Sequence, residues 1–161
     1  MGALLGAQWP LLGQPTELKL LPRVQNAGHR PLARLGRAAV RSATAEVHSG
    51  FAALRSQLPF NCRHRPREPH WDVGAARNIA RIEQLWLDLR SRFGSDLGFL
   101  CGDFGIVDAM FAPVCLRFRS YEPELSAHSR QYMQQVLALP ALREWVAGAE
   151  AEPARVGIYE A

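Results

Sequence analysis

The sequence predicts an all-α fold: a bundle of about five helices around one buried central helix, preceded by an irregular N-terminal segment. Three observations predict it. Apolar residues recur at steps of three and four along two long segments. The run Ile106-Val-Asp-Ala-Met-Phe-Ala-Pro-Val-Cys-Leu116 is apolar almost all the way round, which suits a helix buried on every side. The one hint of a strand, Leu18, Leu20 and Val24, is interrupted by Pro22.

Residues 1–35 stand apart. They hold Pro10, Pro15, Pro22 and Pro31 and a single acidic residue, Glu17, and show no sustained period. From Arg37 the pattern changes. Ala43, Val47, Phe51, Leu54 and Leu58 form one stripe, predicting a single helix of about six turns that Pro59 ends. A loop, residues 60–71, carries Pro66 and Pro69. A second helix is expected over 72–93, with a seam of Ile79, Ile82, Trp86, Leu89 and Phe93 and with Gly94 as its C-cap. The two should pack antiparallel.

The central helix follows. With Gly105 as N-cap, Asp108 falls at the third helical position, where its carboxylate reaches back to the cap N–H and meets the positive end of the dipole. Pro113 lies inside and should kink the helix. Two more helices are expected. One covers 126–137 with Tyr132, Val136 and Leu139 inward. The other starts near Pro140 with Leu142, Trp145 and Val146 inward. The domain thus spans 36–150, and 151–161 is a tail.

Composition limits the function classes. The net charge of +4 comes almost wholly from arginine, Lys19 being the single lysine, and acidic residues are interspersed after position 45. This reads as solvated helix faces, and no nucleic-acid partner is expected. No stretch approaches the ~20 apolar residues of a membrane span, and no membrane partner is expected. Three widely spaced cysteines, Cys62, Cys101 and Cys115, without a secretory segment, point to a reduced, cytoplasmic protein.

The stretch Phe99-Leu-Cys-Gly-Asp-Phe-Gly-Ile-Val-Asp-Ala-Met-Phe-Ala-Pro113, continuing to Tyr121, resembles the sixth-helix signature of glutathione S-transferases. Residues 45–55 are similar to the fourth helix of a bacterial branch of that family, and Leu142-Arg-Glu-Trp145 with Glu152-Pro153 to its C-terminal end. The resemblance implies the helical C-terminal domain. Where the family carries Ser or Thr, this chain has Gly105, a tolerable cap. The resemblance also implies a reaction, attack of the glutathione thiolate on an electrophile, with glutathione as co-substrate and a possible homodimer. His48, Phe51, Met110 and Phe111 then become candidate wall residues of the electrophile site, although apolar stripes at this spacing are more often plain core.

In the family, a thioredoxin-like domain supplies the Tyr, Ser or Cys that activates the thiol. Residues 1–41 contain no Tyr, Ser or Cys and are too short for such a domain. This chain is therefore expected to have no catalytic residue, to bind no cofactor alone, and to be inactive in isolation. A non-catalytic interaction module of the same fold is the alternative.

Other clusters read blandly. Cys62, His64 and His70 lack a fourth ligand in register, so no metal is expected. Arg63, Arg65 and Arg67 read as a solvated loop. His48 and Ser49 are helical neighbours and point in different directions, so they form no proton-sharing pair. Cys101 and Cys115 read as small buried apolar residues.

Overall fold

A computed structural model describes residues 34–94 and 98–154. The described residues form six helices and no strand: α1 (Arg34–Ser49), α2 (Ala52–Gln57), α3 (Val73–Phe93), α4 (Ile106–Tyr121), α5 (Ala127–Leu137) and α6 (Pro140–Ala151). The irregular segment expected over 1–35 lies outside the described residues up to position 33. Arg34 and Leu35 already belong to α1, since no proline follows Pro31 to delay the helix.

The single six-turn helix expected from 37 to 58 is two helices. Gly50 donates its N–H to Glu46 O at 2.8 Å, and the chain then turns at Phe51, which adopts left-handed backbone angles (φ 59°, ψ 39°). A Cβ at Gly50 would sit 2.6 Å from Glu46 O, so only glycine permits this exit. The stripe nevertheless keeps one side: Ala43, Val47, Phe51, Leu54 and Leu58 are all buried. A change of direction at Phe51 has preserved the face that the periodicity predicted.

Helix α3 runs as expected. Asp72 caps it, its Oδ1 accepting from the N–H groups of Gly74 (2.7 Å) and Ala75 (3.0 Å). Gly94 is the C-cap in extended conformation. A Cβ there would approach the Arg90 backbone at 2.9 Å and Leu100 O at 3.1 Å. Ile79, Ile82, Trp86 and Leu89 are buried and Phe93 is partly so. Helix α2 packs on α3, α1 on α4 and α3, and α5 bridges α3 and α4.

The centre of the core is Trp86. Its ring meets Tyr132 at 4.8 Å and Phe111 and Phe118 at 5.7 Å, all edge-on, so one residue of α3 joins α4 to α5. Helix α4 passes through this centre and runs on past Pro113 without a break. It is not buried all round. Ile106 is 64% exposed, and Ala109 and Pro113 are also exposed. These lie along one exposed stripe of the first two turns.

Helix α6 docks through Val146, with Leu142 one turn earlier. Trp145, expected inward, is 50% exposed and rests against the Phe60 ring at 6.0 Å. Successive helical residues differ by about 100° in direction, so when Leu142 and Val146 face the core, Trp145 faces its rim. The loop arginines are not merely solvated. Arg63 donates to the carbonyls of Ala149, Glu152 and Ala154, closing the end of α6, and Arg65 donates to Cys62 O, His64 O and Ser120 Oγ.

Asp108 fixes the start of α4. It is fully buried. Oδ2 accepts from Gly105 N–H (2.9 Å), and Oδ1 accepts from Leu100 N–H (3.1 Å) and from the Tyr132 hydroxyl (3.0 Å). Asp108 thus reaches back to the cap N–H as expected, while Gly105, having no side chain, caps through its backbone alone. Burial pushes the Asp108 carboxyl above its ordinary value, while these three donors pull it down.

Asp108→Ala should cost on the order of 3 kcal/mol, because three buried donors lose their acceptor; Tyr132→Phe, which removes a single donor, should cost about 1 kcal/mol. Chemical denaturation of the two variants checks the ranking. Asp72 has the opposite charge preference to Asp108. The Gln57 side chain and the N–H groups of Ala75 and Gly74 hold its carboxyl below the ordinary value. A lowered folded pKa gives stability that is present above the unfolded value and lost as pH falls through the folded one. The stability gap between the native chain and Asp72→Asn should therefore narrow once pH drops below about 4, as read from urea midpoints at several pH values.

Candidate functional site

The last turn of α1, the bend at Phe51, the start of α2 and the outer stripe of α4 enclose a hollow of about 180 Å³. Its apolar wall is Val47, Phe51, Leu54, Ala109, Met110, Pro113 and Val114, and its polar lining is His48, Arg55 and Arg117. The fold builds this hollow in two ways. Left-handed Phe51 swings α2 away from the line of α1, so that Val47 and Arg55 face the same space. Pro113 contributes a rigid apolar surface and, lacking an N–H, leaves the Ala109 carbonyl without its usual helical donor.

Of the four residues expected in a binding wall, three come together. His48 is exposed at the rim, Phe51 is buried behind it, and Met110 is half-buried opposite them. Phe111 is not among them. It is fully buried on the opposite flank of α4, edge-on to Trp86. The other pair singled out in the sequence, Gly105 and Asp108, lies in the cap of α4 and does not line the hollow.

Sequence reasoning missed Arg55, Pro113 and Arg117 as lining residues. A signal was available: Arg55 is four residues after Phe51, and Met110, Pro113 and Arg117 follow one another at steps of three and four, as neighbours on one helix face must. Arg55 caps the end of α1. Its Nε donates to Gly50 O at 3.1 Å, and its Nη2 donates to His48 O at 2.9 Å and also to Val47 O. Arg117 donates from Nε to Leu58 O (2.9 Å) and from Nη1 to Pro113 O (3.3 Å), with its guanidinium 5.2 Å from the centre of the Phe60 ring. Burial, and then the like charge of Arg55, push the Arg117 guanidinium below its ordinary value. It nonetheless stays charged near neutral pH, because arginine starts so high.

All three cysteines are free. Burial raises Cys62 and Cys115, and it raises Cys101 to about 11, so each stays a thiol near neutral pH. Cys62 is buried, and His64 lies beside Tyr121 with ring centres 6.0 Å apart. Among the described residues, no group of three or more His, Cys, Asp or Glu could hold a metal ion, and no helix is long and apolar enough to cross a membrane.

The described residues thus form an all-helical bundle with a hollow between its first and central helices. The family model for the glutathione S-transferase C-terminal domain matches residues 37–148. The chain belongs to that family. Comparison with curated proteins gives no match.

The bend that shapes the hollow can be tested directly. Gly50→Ala forces a Cβ against the Glu46 carbonyl and should destabilise the fold by about 2 kcal/mol. Thermal unfolding measures the loss. A neutral result would mean that α1 leaves its last turn by another route.

Proposed function

We propose that this domain supplies the electrophile-facing half of a glutathione S-transferase. One observation carries the reading: His48, Phe51 and Met110, from separate elements, meet around an apolar hollow beside the exposed stripe of α4. In the complete enzyme, glutathione is the co-substrate, and its thiolate attacks an apolar electrophile seated in this hollow. That attack needs a thiol whose pKa is lowered by a positioned donor, so that thiolate exists near pH 7. The described residues around the hollow place apolar walls and two arginines there, but no hydroxyl or thiol at the rim. The domain accordingly binds and orients the electrophile and leaves thiol activation to a separate unit. Three thiols held protonated suit a reduced, cytoplasmic setting.

The exposed apolar side chains Leu35 and Ile106 favour a second reading, a non-catalytic module that docks against another protein or a second copy of itself. One pair of measurements separates the two readings. The purified chain should bind 1-chloro-2,4-dinitrobenzene, seen by ligand-observed NMR, and Met110→Glu should abolish that binding. The same chain should not raise the rate at which glutathione conjugates this compound above the uncatalysed rate. Turnover by the chain alone, or its retention on immobilised glutathione, would overturn the division of labour. Absence of dinitrobenzene binding together with concentration-dependent self-association would favour the docking module.

A further inference from the structure

The charge distribution of the hollow goes beyond its apolar walls. Two guanidinium groups, Arg55 and Arg117, line it together with the His48 ring, and no aspartate or glutamate does. Neither arginine forms an ion pair with any described residue. Two other arginines do meet carboxylates: Arg81 grips Glu46 with two bonds of 2.8 and 2.9 Å, and Arg119 stands 3.7 Å from Glu150. At the hollow the guanidiniums meet only backbone carbonyls, at Val47, His48 and Gly50 for Arg55 and at Leu58 and Pro113 for Arg117. Those bonds aim the two side chains without neutralising them. They leave Arg55 Nη1 and Arg117 Nη2 with no acceptor among the described residues.

Two like charges beside one partly enclosed, largely apolar space are unfavourable in the empty protein and favourable once an anion arrives. Guanidinium groups also match the geometry of a carboxylate or sulfonate. Phe51, Met110 and Pro113 supply the surface for an apolar body. A hollow of about 180 Å³ is somewhat larger than the ~150 Å³ cavity that admits benzene, so a fused or single aromatic ring fits with its polar group at the rim.

We infer that the hollow prefers an aromatic molecule bearing one carboxylate or sulfonate over its neutral counterpart, with Arg55 and Arg117 holding the anionic group and Phe51, Met110 and Pro113 the ring. This rests on the hollow being the electrophile site and ranks anionic aromatic electrophiles above neutral ones as its substrates.

The test uses 2-naphthoate and its neutral methyl ester as matched probes on the full chain labelled with methyl-¹³C methionine. The chain has three methionines, Met1, Met110 and Met133, so the Met110 signal is assigned by its loss in Met110→Leu. Naphthoate should shift the Met110 signal with a Kd at least tenfold below that of the ester. The ratio should fall towards one in Arg117→Gln and largely survive in Arg117→Lys. It should also shrink in the native chain as NaCl rises from about 20 mM to about 0.5 M, because screening weakens a charge-based preference. The salt series decides the question even if Arg117→Gln fails to fold. Equal affinity for the two probes, or a ratio indifferent to both Arg117→Gln and salt, overturns the inference and leaves the electrophile site standing. If neither probe moves Met110, the electrophile site falls and the inference with it.

Discussion

The fold depends on one buried carboxylate. Asp108 gathers donors from three places: the loop before α4, the N-cap of α4 and the middle of α5. Without it, the N–H of Leu100, the N–H of Gly105 and the Tyr132 hydroxyl would each lose a buried acceptor. Tyr132 also contributes its ring to the cluster around Trp86. The polar anchor and the aromatic centre therefore share a side chain. This sharing sets the depth and rotation of α4, and with them the side that α4 presents to α1. The hollow lies on that opposite side, so its shape follows from an interaction that it never touches.

The site is built from departures from regularity. A straight helix from 34 to 58 would carry Arg55 along the same axis as Val47 and leave no recess. The left-handed Phe51 breaks that line at a cost of about 1–2 kcal/mol for a bulky side chain, offset by the burial of its ring. Pro113 plays a comparable part on the facing helix. Phe51 departs through its left-handed backbone and Pro113 through its missing N–H, and both lie in the wall of the hollow.

This explains what could be read from the sequence. The helices, the caps at Asp108 and Gly94 and the inward residues of α3 follow from spacing, because burial imposes the 3.6-residue period whatever the tertiary detail. The break after Ser49 was hidden because the stripe through Phe51 continues on both sides of it, so periodicity alone shows one helix. Gly50 was the local clue, and its weight depends on a clash with Glu46 that only the folded backbone reveals. His48, Phe51 and Met110 could be named from the resemblance to glutathione S-transferases. Arg55 and Arg117 could not, since an arginine on a helix usually faces water. The same lack of tertiary context misplaced Trp145, whose neighbours Leu142 and Val146 had already taken the inward direction.

Arg63 gives the domain an uneven resistance to opening. Helix α6 places a single buried residue, Val146, in a small cluster apart from the main core, and its C-terminal end is held by the Arg63 guanidinium from a distant loop and by Arg119 beside Glu150. The rest of the bundle is joined through Trp86 and Asp108. Fraying should therefore begin at α6 as a separate cooperative unit, with amide protons there exchanging ahead of those in α3 and α4. Such an excursion spares the recess beside α1, because none of its lining residues belongs to α6.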